Sequence, residues 1–422
     1  MKKKKKNKKI ILLLLIFIIL ASIFLIVKCV KPTKKYIIET DKEANIDELY
    51  IYGNHLNLNG TIDIHLIDEN ITDLNLLFYS KEEIRVPLNY KVTDENIYFE
   101  IADKLNNGYL IDNLAIHNYN LYIESENGDT KKYYNLKNNT KYETTEYYSI
   151  RKNNEQKKMI LSNKNSTINL EVKKANDKNV YDIIIDPGHG GVDPGASGNG
   201  YSETDFTYLI SSKVKEKLEK HGLKVKLTRG DLSDSERLPN YGENGRVNIA
   251  NESKAKYLLA IHLNSNDYND SGLEVYTAYG VDYTFASNIA SSIVNKANTN
   301  YSTNNAFKEQ KGVYTRTLQD SDLQESYENA IANGYKPYDI SNKTTYYFII
   351  RETGGYMSGA YKDARDGSPY NYYVNSNVGA ESYLLELGYL TSKKDVNNLN
   401  ANLDDYVDGI VEAMLKELES DE

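Results

Sequence analysis

At 422 residues, 40% hydrophobic, 26% charged and 11% aromatic, the chain is too long for one ordinary domain of ~100–200 residues and too apolar for a disordered one. Its formal net charge of −9 conceals a division: eleven of the 51 basic residues lie in positions 1–35 with no acid, leaving 40 against all 60 acids beyond, about −20. So acidic a body excludes nucleic-acid binding through a phosphate-neutralising surface, and a lone cysteine, Cys29, excludes an intrachain disulfide.

Residues 1–9 are a basic tail with seven lysines between Lys2 and Lys9, and Ile10 to Val27 then runs unbroken by charge. At 1.5 Å per residue this run can cross a hydrocarbon core of ~30 Å. Residues 10–28 are therefore expected to be a transmembrane anchor in the cytoplasmic membrane, the lysines inside and the rest outside. A cleaved signal would have a shorter apolar core of ~7–15 residues and a small-x-small exit, whereas Ile26-Val27-Lys28 follows here. Lys28 also stands where lipidation of Cys29 would need a small residue.

Over 34–175 the pattern changes to short alternating runs, such as Leu49–Tyr52, Thr61–Ile67, Asn96–Ile101, Asn120–Glu124 and Thr167–Val172, separated by Asn, Gly and Asp. This predicts an antiparallel all-β accessory domain, sandwich-like. His55, His65 and His117 have no metal-like spacing and read as ordinary strand or turn residues. The 38 tyrosines, with no tryptophan and much Asn and Lys, read as overall compositional bias rather than a sugar-stacking platform. The polar run Lys173–Asn179 is the expected linker.

From 180 to 420 strand and helix patterns alternate. Ile183–Ile185 is an apolar strand stopping at Asp186-Pro187-Gly188, and Phe206, Leu209, Ile210, Val214 and Leu218 mark an amphipathic helix from Glu203 to His221. Further strands are expected at Leu223–Thr228 and Tyr257–Ile261, and helices at Gly245–Ser253, Phe285–Ala297 and Tyr406–Leu418. Repeated units of this kind predict a mostly parallel open sheet with helices on both faces, an α/β domain.

The chemistry-bearing residues fall at the ends of these elements. His189 lies in a glycine-rich turn after the first strand, Glu203 opens the helix, His262 ends the Tyr257–Ile261 strand, and Glu386 ends another at Tyr383–Leu385. Two histidines with one glutamate make the open three-ligand set of catalytic zinc, which keeps a position for water. Alone, Glu203 reads equally as an acid favoured in a helix's first turn, and either histidine as a satisfied core residue.

The order of motifs decides between these readings. IIIDPGHGGVDPGASG, YSETDF, GLKVKLTRGD (222–231), GRVNIAN (245–251), LLAIHLNSN (258–266), GLEVYTA (272–278) and LLELGYLTSKKDVNNL (384–399) together resemble the zinc-dependent N-acetylmuramoyl-L-alanine amidases of bacterial cell walls, the amidase-3 type. The resemblance implies one zinc per chain at His189, Glu203 and His262, Glu386 as catalytic carboxylate, and peptidoglycan as substrate. Asp186 and Asn264 are expected to hold ligands from behind, and Arg229 and Arg246 to be structural ion-pair residues. A regulatory partner is left open. A catalytically silent wall-binding relative and a zinc peptidase are the alternatives; no HExxH helix supports the latter.

The stretches 319–345 and 354–378 exceed what a compact core of this kind needs and, rich in Tyr, Asn, Gly and Asp, read as loops. The second is expected to border the substrate cleft, with Arg351 and Arg365 gripping a stem-peptide carboxylate.

Overall fold

The computed structural model describes residues 40–67, 70–164, 167–232, 236, 238–242, 244–332, 334, 343–360 and 376–420. The anchor expected at 10–28, with Cys29, lies outside them, as does Arg365; among the described residues no helix is long and apolar enough to cross a membrane.

The accessory region is all-β, and every strand expected there is present in whole or part. In Thr167–Ala175, Ile168, Leu170 and Val172 turn to the core while their neighbours face outward, the period-2 burial of a half-covered strand. Three expectations are corrected. Thr61–Ile67 leaves the strand at Asp63 for a 3-10 turn, Ile64–Leu66. The pairing is not purely antiparallel, since Glu43–Tyr52 runs parallel to Thr130–Asn138. And the strands form one continuous sheet instead of two, with thirteen strands once Val378–Gly379 is included. A single buried cluster joins Ile62, Ile97 and Phe99 to Tyr147, Met159 and Leu161, which stand far apart in that sheet, so it folds over its own apolar face.

The second region is the expected α/β domain. Its seven strands lie in the order Val225–Leu227, Ile183–Pro187, Tyr257–Asn264, Glu381–Tyr389, Glu274–Thr277, Val313–Tyr314, Lys308–Gln310. The first four are mutually parallel, and Glu274–Thr277 pairs antiparallel with Glu381–Tyr389. The pleat explains the unbroken apolar runs. Ile183 and Ile185 pack on one face with Phe206, Ile210, Val214 and Leu218 of helix Glu203–Lys220 and with helices Thr284–Lys296 and Leu403–Ser420. Ile184, Leu258 and Leu384 pack on the other face with helices Arg246–Glu252 and Phe348–Thr353. Each such fully buried aliphatic or aromatic side chain contributes ~1.5–3 kcal/mol over exposure, so Leu218→Ala would loosen the first helix.

His262 and Glu386 sit inside their strands rather than at the ends, in register with each other, because the first strand runs two residues beyond His262 and the second three beyond Glu386. The stretch 319–345 is not all loop: Asp320–Ala332 is helical, with Asp320 and Asp322 in the first turn, where the helix dipole favours acids.

Residues 361–375 of the second insertion lie outside the described residues, but its return does not reach the sheet edge to which it was expected to be tied. Val378–Gly379 adds in parallel to Glu43–Tyr52 of the accessory sheet, and Asn377 donates to Leu49 O (3.2 Å). A parallel strand is entered at its amino end, whereas ligands of open α/β sheets gather at the carboxyl ends, so Val378 arrives at the end of the Glu386 strand away from the site.

Candidate metal centre

The strand Ile183–Pro187 delivers the chain to Gly188, whose N–H donates to Ile261 O of the neighbouring strand (2.9 Å). A Cβ on residue 188 would lie 2.5 Å from His262 Cε1, so only glycine lets the ring pack against this backbone. His189 follows at φ +57 and Gly190 at φ +120. A histidine in the left-handed region is held there by its surroundings, and two guanidiniums do much of the holding. Arg229 donates to Pro187 O and Gly188 O (both 3.0 Å); Arg246 donates to Pro187 O (3.0 Å) and His189 O (2.9 Å).

Arg246 also pairs with Asp186 (2.7 Å), as expected. Arg229 departs from expectation: it hydrogen-bonds carbonyls and Thr207 and makes no ion pair among the described residues. Burial, with Arg246 close by, lowers its pKa to about 10. Asp186 accepts from Arg246 and Thr228 and touches neither histidine, because it lies within the strand, one step behind the turn. Asn264 likewise reaches Glu274 (3.0 Å) rather than a ligand.

Glu203 enters from the helix start, where Ser202 N–H donates to Asp205 Oδ2 (2.8 Å) and Glu203 N–H to Ala196 O (2.9 Å). Its carboxylate is the hub. Oε1 meets His262 Nδ1 (2.9 Å) and accepts from Leu263 N–H (3.0 Å), while Oε2 meets His189 Nε2 (3.1 Å) and accepts from Ala196 N–H (3.0 Å). Burial alone would raise the pKa of this 3%-exposed acid; the hydrogen bonds and charges of both histidines win and drive it far below the usual carboxylate range. His189 shows the converse. Burial works against its cation, but Glu203 and Asp193 raise its pKa above the ordinary imidazole value.

The structure thus brings His189, Glu203 and His262 together, one donor atom of each within 4.8 Å of the others. The imidazole rings stand edge to face, 5.1 Å between centroids at 79°. His55 and His221 lie elsewhere, His55 against Gly108 O (3.3 Å) and His221 at the cap of the first helix.

Glu386 stands beside His262 in register, 8% exposed, and its Oε2 has no hydrogen-bond partner among the described residues. Burial first, then the charges of Glu203 and Glu274, push its pKa well above the ordinary glutamate value. Glu274 is its cross-strand partner and is saturated, accepting from Ser302 (2.7 Å), Tyr276 (2.9 Å), Asn264 and Tyr389.

Two residues here were missed from the sequence. Asp193 Oδ2 meets His189 Nδ1 at 2.9 Å and fixes the ring, as carboxylates do behind metal-ligating histidines; an acid four positions after His189 in the same glycine-rich turn was the available signal. Glu274 carried the signal that drew attention to Glu386, a single acid inside an apolar run. Arg351 is corrected: it is 6% exposed and spends its guanidinium on Thr345 O (2.9 Å), Tyr346 O (2.8 Å) and Glu352 (2.9 Å). The helix Phe348–Thr353 carries it into the protein rather than toward a ligand.

Comparison with known proteins bears on residues 183–416, which match the family described as N-acetylmuramoyl-L-alanine amidase. The sporulation-specific N-acetylmuramoyl-L-alanine amidase of Bacillus subtilis (strain 168) is 39% identical over 94 residues, 22% of this chain and 34% of that protein. N-acetylmuramoyl-L-alanine amidase AmiA of Escherichia coli (strain K12) is 36% identical over 105 residues, 24% of this chain and 33% of that protein. The chain therefore spans about a third of the length of these relatives. Among solved structures, N-acetylmuramoyl-L-alanine amidase AmiC2 of Nostoc punctiforme is 24% identical, with 58% of this chain and 99% of that one covered and a TM-score of 0.35.

Proposed function

Because the chain belongs to the N-acetylmuramoyl-L-alanine amidase family, we propose that it hydrolyses the amide between N-acetylmuramic acid and the L-alanine of the stem peptide in peptidoglycan. The observation that carries the reading is the pairing of a three-donor cluster with a buried, unrelieved acid: His189, Glu203 and His262 converge, and Glu386 stands next to them with one oxygen unpartnered.

Two imidazoles and one carboxylate suit zinc, and three protein donors leave a position open. His189, Glu203 and His262 would hold it, with Asp193 orienting His189. When bound there, zinc supplies Lewis acidity for the amide carbonyl and for water. Glu386 moves the proton. Its carboxylate takes one from the water as the oxygen adds to the carbonyl carbon, then gives it to the alanine nitrogen as the C–N bond breaks. The products are a lactyl carboxylate and a free amine. Burial raises the pKa of Glu386 above the ordinary glutamate value, so it holds the proton taken from water more readily than an exposed glutamate would until the amine leaves. Glu203, saturated with hydrogen bonds and held ionised, is unsuited to it.

The lysines of 2–9 and the apolar run 10–27 support a single-pass placement in the cell membrane, with both domains facing the wall.

Digestion of purified peptidoglycan by the full chain tests the activity. Mass analysis is expected to find stem peptides with a free L-alanine amine, matching lactyl carboxylates on the glycan, and no new reducing sugar ends. Cleavage within the peptide, or new reducing ends, would refute the reading.

A further inference from the structure

With Arg351 turned into the protein, another guanidinium stands open. Arg316 follows the strand Val313–Tyr314 and is half-buried between two rings, its Cζ 3.4 Å from the Tyr346 centroid and 5.1 Å from that of Phe307. Backbone hydrogen bonds fix both walls of this clamp: Thr315 N–H donates to Phe307 O (2.9 Å) and Tyr346 N–H to Arg316 O (2.8 Å). Phe307 is held at φ +60, a conformation a bulky side chain adopts only under constraint. Among the described residues Arg316 Nε is buried with no hydrogen-bond partner, and no carboxylate pairs with the guanidinium. A cation stacked on aromatic faces is pre-oriented, and its planar fork matches a carboxylate.

Its place relative to Glu386 is set by a run of rings. Tyr346 packs against Tyr347 (5.4 Å, 90°), and Tyr347 against Tyr276 (4.8 Å, 62°), whose hydroxyl donates to Glu274 beside Glu386. Tyr347 feels the charges of both Glu386 and Arg316. Tyr276 is in register with both Leu384 and Tyr314. With ~3.4 Å per residue along strands and ~4.8 Å between them, the Arg316 backbone therefore lies roughly 16 Å from that of Glu386, two strands across and displaced toward the amino edge of the sheet, so that a stem reaching it would run from the carboxyl edge back over this face. An extended peptide covers this in about four to five residues, fewer once side chains reach toward each other.

We propose that Arg316, clamped between Phe307 and Tyr346, binds a carboxylate on the far part of the stem peptide and so gives the enzyme a preference for stems that carry one there. Arg316 is a binding residue and does not touch the reacting atoms. The inference rests on the amidase reading and names part of its substrate.

The test compares two muramoyl-peptides that differ only in a C-terminal carboxylate or carboxamide. The full chain is expected to show a KM about tenfold or more lower for the acid, the scale of one hydrogen-bonded charge pair. In Arg316→Gln the KM for the acid should rise to that of the amide, and Arg316→Lys, which keeps the charge and loses the fork, should fall between. Calorimetric binding of the free stem peptide, acid and amide, to the same variants separates the two claims. An acid preference in binding that vanishes in Arg316→Gln, with no muramoyl product from either substrate, upholds Arg316 as the carboxylate site while removing the amidase reading. Normal product formation with equal KM for acid and amide in the wild type overturns the role of Arg316 alone.

Discussion

At the amino ends of the catalytic strands, Asp182 takes two side-chain hydrogen bonds from Arg151 of the accessory domain (3.1 and 2.9 Å) and one from Lys224 N–H (2.6 Å), whereas at the carboxyl ends Glu386, also buried, has an oxygen with none among the described residues. The first edge is a seam. Lys256 is 1% exposed with its ammonium 3.9 Å from the Tyr147 ring centroid, and Glu381 takes a hydrogen bond from Asn106 (2.9 Å). Gly53, at φ +60, turns the hairpin where a Cβ would come within 3.0 Å of Glu381. At the seam it is Asp182 whose buried charge is answered from the other domain, by Arg151. At the opposite edge the donors converge on Glu203 and leave Glu386 unrelieved, so two acids in one site are driven in opposite directions. Such a split is how one site acquires a permanently ionised group and a proton carrier.

The sharpest way to break the contrast is at the carboxyl edge. His262→Ala removes one converging donor and a hydrogen-bond partner of the buried Glu203, so turnover should fall to background; steady-state assay on muropeptides measures it. Glu386→Gln is next. It keeps shape and removes proton transfer, so the rate should fall by roughly 10²-fold or more, while circular dichroism shows an unchanged fold.

Mutations at the seam should affect stability and spare the chemistry. Asp182→Ala strands Arg151, whose side chain is 13% exposed, and should cost about 3 kcal/mol in denaturant unfolding with kcat retained. A further effect concerns pH. Burial raises Asp112 to about 6 and lowers Lys256 to about 7. Folded Asp112 holds its proton where the unfolded group has lost it, so stability falls as pH rises from the ordinary carboxylate range through about 6. Folded Lys256 lacks a proton the unfolded lysine carries, so stability climbs again from about 7 toward the ordinary lysine value, by at most ~1.4 kcal/mol per pH unit. In Lys256→Met this climb should vanish from urea titrations; its persistence would place the titrating group elsewhere.

Much of the carboxyl edge was legible in the sequence, and little of the seam. An apolar strand ending in Asp-Pro-Gly-His-Gly-Gly announces both its turn and its chemistry, and the spacing of Phe206, Ile210, Val214 and Leu218 fixes the helix that presents Glu203. The seam depends on contacts such as Asn377 with Leu49, 328 positions apart, made by a two-residue strand with no period to detect. Arg351 and Arg316 could not be told apart by residue type. One answers nearby backbone carbonyls and the other lies between rings, which only the fold decides.

Zinc stoichiometry tests the division of labour at the carboxyl edge most directly, measured by elemental analysis on purified wild type, His262→Ala and Glu386→Gln, with turnover recorded in parallel. The account predicts one zinc per chain in the wild type and in Glu386→Gln, none in His262→Ala, and lost turnover in both variants. Full zinc in His262→Ala, or loss of zinc from Glu386→Gln with turnover restored on reloading, would contradict it.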